Sequence, residues 1–166
     1  LFRSYSVQGG TNNAGTLTRW YRDRLFPEAL EKEARTGINA YQTMLEGIDE
    51  IPPGSDGLIT LPYFAGERTP VNDPQAKGVL FGLTLSHTRA HLYRSALEAV
   101  GYSLAWHMDI FRQNAVEIKT VYAVGGGTKA SAWMQIICDI LGVELVTADV
   151  RIGASFGDAM MAAIGV

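Results

Sequence analysis

Apolar residues recur at helical spacing over parts of this chain and gather into short runs elsewhere. Leu17, Trp20, Tyr21 and Leu25 share one face of a predicted helix, with Pro27 marking its stop. A second helical segment is expected around Ala40–Leu45, carrying Tyr41, Met44, Leu45 and, just beyond it, Ile48. Leu58–Phe64 and Val79–Leu85 are short, partly alternating apolar runs and read as strands, as does Arg3–Gln8 around Tyr5 and Val7. Gly9-Gly10-Thr11-Asn12-Asn13, the Pro52–Gly57 cluster and the Pro-, Asn- and Asp-rich Gly66–Lys77 read as breaks and loops.

The second half is more regular. Thr88 is placed to cap a long helix that buries Leu92, Ala96, Val100, Leu104 and Phe111. Val121–Val124 is a continuous apolar run, the pattern of a strand buried on both faces of a parallel sheet. Gly125-Gly126-Gly127 separates it from a helix with Trp133, Ile136, Ile137, Ile140 and Leu141 on one stripe, which Gly142 closes as C-cap. Leu145–Thr147 is the next strand and Gly157–Ile164 the next helix. Strand, helix, strand, helix predicts an α/β fold with a parallel core.

Composition narrows what such a fold can be doing. The 166 residues suit one domain or a large piece of one, and 47% hydrophobic with 19% charged excludes disorder. A net charge of −3 with no Lys/Arg cluster argues against nucleic acid as a partner. The single Cys138 forms no internal disulfide, which points to an intracellular chain. No apolar run approaches the roughly 18 residues that span a bilayer, so no membrane is expected. The chain opens at Leu1 and closes at Val166 inside an apolar helical pattern, so both ends are expected to be cut.

The clearest chemical signal is Val124-Gly125-Gly126-Gly127-Thr128-Lys129. Glycines between a buried strand and a helix allow close backbone approach and leave the helix's first N–H groups free for an anion or a nucleotide. The turn also falls at the carboxyl end of a strand, where open α/β sheets bind ligands. A structural turn for tight strand–helix packing is the competing account. A Walker loop fails here, because Lys129 is followed by Ala130. Gly125, Gly127 and Ala130 fit the G-x-G-x-x-A dinucleotide fingerprint, with Asp149 downstream for a ribose hydroxyl, but only one further strand and helix follow.

Other candidates are plainer. His87 and His91 share i, i+4 spacing without a third ligand, so no metal is expected; His107 reads as packed or surface, and Cys138 as a small core residue. Asp158 is expected in the first turn of the last helix, where a carboxylate favours the dipole. Glu67-Arg68 lies in a loop, as a functional charge pair or a solvated one. No residue stands out as a catalytic nucleophile, acid or base.

Gly78-Val79-Leu80-Phe81-Gly82-Leu83, then His91-Leu92 and Ser95-Ala96-Leu97-Glu98, resemble the C-terminal signature of the FGGY carbohydrate kinases. Gly57–Tyr63, Gly66-Glu67-Arg68-Thr69-Pro70, and the triple glycine with Trp133 and Gln135 resemble the xylulose kinase branch of that family in particular. Gly15, Leu17 and Trp20 fall where the family has a Gly-x-x-x-x-Trp segment. The resemblance implies a ribonuclease-H-like α/β domain of the actin, Hsp70 and hexokinase type, with a mostly parallel sheet flanked by helices and truncated at both ends. It implies that residues 1–166 are the ATP-side domain of a cytoplasmic kinase moving the γ-phosphoryl of MgATP to a ketose or polyol hydroxyl. Gly125, Gly126 and Gly127 would lie against ATP, with Thr128 and Ser131 near its ribose and adenine. The catalytic Asp, the Mg²⁺ carboxylates and most sugar contacts would belong to an N-terminal domain that precedes Leu1. The fragment alone would then be inactive, and a homodimer is compatible with the resemblance. A non-catalytic nucleotide-binding regulatory module and an NAD-dependent oxidoreductase domain are the alternatives.

Overall fold

The computed structural model describes residues 8–147 and 154–164. Of the sequence expectations, Asp149 and all but the last residue of the strand at Arg3–Gln8 lie outside the described residues. Helix α1, Gly15–Leu25, turns Leu17, Thr18 and Tyr21 into the core. Pro27 both ends that helix and opens another, α2 (Pro27–Thr36), which the spacing of apolar residues did not announce. Proline is accepted at a first helical position because its missing N–H has no intrahelical partner there anyway. Gly37, at φ 75°, closes α2 with its N–H on Glu33 O. In α3, Ala40–Met44, the Asn39 side chain caps the Tyr41 N–H.

Helix α1 and the turn at Ile48–Glu50 rest on α4, Arg89–Gln113, while α2 and α3 pack against α1 and each other. Leu17, Tyr21, Met44, Ile48, Tyr93 and Leu97 meet there as the tightest part of the core. Strands β1 (Ile59–Leu61) and β2 (Val79–Phe81) pair antiparallel, Ile59 opposite Phe81. Strands β3 (Val121–Ala123) and β4 (Leu145–Thr147) pair parallel, Val121 opposite Leu145. Between them α5, Ser131–Leu141, buries Trp133, Ile136, Ile137 and Leu141 of the expected stripe, with Ile140 half-buried against the core, and ends on Gly142 in the left-handed region. Helix α6, Ala154–Ile164, begins three residues before the expected Gly157. Asp158 therefore sits beyond its first turn, where the dipole argument lapses.

Among the described residues the strands form these two short pairs, one parallel and one antiparallel. The apolar run at β3 also departs from its sequence reading. Val121 packs on the core, but Tyr122 and Val124 are 72% and 74% exposed. Strand alternation sends them to the face opposite the helices, and in this chain nothing among the described residues covers it. None of the described helices is long and apolar enough to cross a membrane.

Candidate functional site

The site forms where β3 ends, and its three glycines are glycines for three different reasons. Gly125 takes φ 99° and ψ −174°, a backbone conformation that strains any side chain. Residues Gly126–Lys129 then make one 3₁₀ turn, closed by Thr128 N–H on Gly125 O at 3.3 Å and Ala130 N–H on Gly127 O at 3.0 Å. The Thr128 hydroxyl also donates to Gly125 O, 2.8 Å, and clamps the turn. A Cβ on Gly127 would stand 3.0 Å from the Trp133 ring. That ring cannot readily give way, being buried with its indole N–H on Leu97 O at 3.3 Å. Gly126 has neither reason: a Cβ there meets nothing within 4 Å.

What Gly126 faces is a cavity of about 1470 Å³. Gly126, Gly127, Thr128 and Ser131, four of the five expected ligand residues, line it; Gly125 does not, and serves the turn's geometry instead. Lys129 lines it too, and Ser131 is exposed at the start of α5, whose N-terminus carries no side-chain cap. From the other end of the chain α1 contributes Gly15, Thr18 and Arg19, and α3 contributes Tyr41 and Gln42. Sequence spacing could not join these to a turn roughly a hundred residues away; only the Gly15–Trp20 segment carried a signal. Arg19 and Lys129 are exposed, and among the described residues neither is paired with a carboxylate. Two free cations, a bare backbone turn and an uncapped helix start favour an anionic ligand.

The dinucleotide fingerprint does not survive the geometry. In that motif the glycines open the helix, whereas here the 3₁₀ turn intervenes and α5 begins only after Ala130.

The remaining candidates turn out to hold the frame. The ring nitrogens Nδ1 of His87 and His91 accept the backbone N–H of Thr84 and Thr88, at 2.9 and 3.1 Å. Their Nε2 atoms both turn to Asp56, His91 to Oδ2 at 3.0 Å and His87 to the carbonyl at 3.4 Å. His91 thus fills the capping-box position of α4 opposite Thr88. His107 is buried, with Nδ1 donating to Ser103 O at 2.6 Å, and Cys138 is half-buried on α5. Glu98 of the signature is buried beside Arg94, whose Nε donates to Oε1 at 2.9 Å. Glu98 also accepts the Gly54 N–H and the Ser55 hydroxyl, tying that loop to α4. Glu67 is buried as well, so it is no solvated ion pair.

The sequence pattern of the FGGY family of carbohydrate kinases, C-terminal domain, matches residues 2–166. A xylulose kinase of Bacillus subtilis (strain 168) is 32% identical over 162 residues, 98% of this chain and 30% of that protein. A gluconokinase of the same organism is 35% identical over 146 residues, 87% of this chain and 28% of its own length. The crystal structure of xylulose kinase from Rhodospirillum rubrum superposes with a TM-score of 0.76 at 36% identity, covering 93% of this chain and 30% of that one. This chain therefore spans less than a third of the length of the relatives it matches.

Proposed function

Because the chain belongs to the FGGY family of carbohydrate kinases, with the actin- and hexokinase-like ATPase fold, we propose that residues 1–166 are the nucleotide side of a sugar kinase. The cavity beside Gly126 binds ATP, with Gly126 and Gly127 against the nucleotide and Thr128 and Ser131 towards its ribose and base. Gly125 takes part through the turn's conformation rather than by contact. Arg19 and Lys129 supply the positive charge that a triphosphate requires. MgATP brings the γ-phosphoryl group and the metal that neutralises its oxygens; this chain binds and orients it. The acceptor is a ketose or related polyol, xylulose-like. The proton-accepting carboxylate, the carboxylates that hold Mg²⁺ and the sugar pocket lie in an N-terminal domain of a cytoplasmic kinase. The relatives' length, more than three times that of this chain, leaves room for such a domain.

The observation that carries this reading is the empty space at Gly126. A side chain there leaves the fold alone and fills the cavity, so the variant separates binding from stability. Gly126→Val is expected to keep the melting temperature of the wild type and raise the Kd of a fluorescent ADP analogue at least about tenfold, 1.4 kcal/mol. Unchanged affinity in a folded Gly126→Val chain removes the turn from the nucleotide site.

A further inference from the structure

Glu67 is only 4% exposed, yet no cation lies within ion-pair distance of it among the described residues. Its charge is met by three donors instead: the Thr11 hydroxyl on Oε2 at 2.7 Å, and the Asn12 and Arg68 N–H groups on Oε1 at 2.9 and 2.7 Å. A second clamp runs alongside, Asn13 Nδ2 donating to Gly66 O at 2.7 Å and Ala65 N–H to Asn13 Oδ1 at 3.0 Å. The two clamps bind residues 11–13 to a loop more than fifty positions downstream. Just before residues 11–13, a Cβ on Gly9 would stand 2.5 Å from Cδ2 of the buried His107 on α4.

Residues 9–11 line the cavity, and α1 starts at Gly15, one residue after the clamped segment and its N-cap Ala14. Fixing residues 11–13 therefore fixes where Gly15 and Arg19 stand on the cavity wall. We infer that Glu67 is a positioning residue of the nucleotide site, acting through Thr11 and Asn12 on the start of α1. This rests on the nucleotide reading above. A buried carboxylate with three donors is a stiff anchor, since losing it leaves all three unpaired.

The test measures, for each variant of this chain, the Kd of the fluorescent ADP analogue and the melting temperature, with binding read where circular dichroism shows the variant folded. Glu67→Ala should weaken binding at least about tenfold. Glu67→Gln, whose amide oxygen still accepts both N–H groups and whose amide nitrogen can donate to Thr11 Oγ1, should recover most of that affinity. Glu67→Asp, which keeps the charge but draws the carboxylate one methylene back from Thr11 and Asn12 and lies off the cavity wall, should weaken binding several-fold and decides the matter if Glu67→Ala does not fold. A purely structural Glu67 would lower the melting temperature of these variants and leave the folded-state Kd at the wild-type value; that result overturns the inference and spares the nucleotide reading. Absence of binding by the wild-type chain defeats both.

Discussion

Glu98, which ends the family signature, forms with Arg94 an ion pair whose side chains are almost wholly out of water. Arg94 Nη1 also donates to Ile48 O at 3.0 Å, so this pair is fastened on both sides by backbone and hydroxyl groups. Removing one partner leaves the other charged and buried, which costs about 3–5 kcal/mol. Glu98→Ala should therefore lose about that much in urea denaturation, with no role in nucleotide contact to complicate it. Tyr21 gives a pH-dependent counterpart. Burial pushes its phenol from 10.0 up to about 12, against a smaller opposing effect of the Thr60 hydroxyl. Below pH 10 the phenol is protonated both folded and unfolded, and stability does not depend on it. Above that, the unfolded chain releases the proton first, so about 3 kcal/mol drains away between pH 10 and 12 at 1.36 kcal/mol per unit. Urea midpoints should stay level from about pH 7 to 9 and fall beyond 10, less steeply in Tyr21→Phe. A residual fall is expected from Tyr93, which burial also raises. Residues of this kind were only half legible. The triple glycine announced a close backbone approach, but which glycine serves strain, packing or open space depends on Trp133 and the cavity. Glu67 drew notice in a loop, yet two of its three partners lie more than fifty positions away and no local pattern names them.

Elements were legible wherever their own residues decided them. The apolar stripe of α5 and its Gly142 cap, the β4 run and the Thr88 start of α4 all stand as the spacing predicts. Helix α2 escaped because PEALEKEART buries only Ala29, so its face is nearly all polar, and Pro27 looked like an end rather than a beginning. The burial of β3 was misjudged for a different reason: an apolar run says that a strand can be covered on both faces, not that its own chain covers it. The start of α4 shows local chemistry outweighing the expected residue type. Histidine stands where a capping box normally has Glu or Gln, and its Nδ1 accepts the Thr88 N–H as their carboxamide or carboxylate oxygen would. His91→Ala should thus cost about 1 kcal/mol, and His91→Gln should recover most of it. Equal stability of the two variants in thermal denaturation would show that the ring contributes by packing or through Asp56 alone.

For the whole molecule, the question is what a domain with one wall of the proposed nucleotide site can do unaided. Its cavity is open, and among the described residues no carboxylate lines it; His107 does, but it is buried with Nδ1 donating to Ser103 O. Apolar faces at Phe81, Tyr122 and Val124 stay in water, each more than two-thirds exposed. Phosphoryl transfer depends on alignment and on excluding solvent, and orientation alone accounts for up to about 7–11 kcal/mol of barrier lowering. A missing general base takes a further factor of about 10²–10⁴. Nucleotide binding and turnover should therefore separate: the chain should bind ADP and ATP, but a coupled ADP-release assay with MgATP and a panel of pentuloses, polyols and gluconate should read no higher than its blank. Sugar-dependent ADP release clearly above that blank would place a complete catalytic site within these 166 residues and undo the division of labour between two domains.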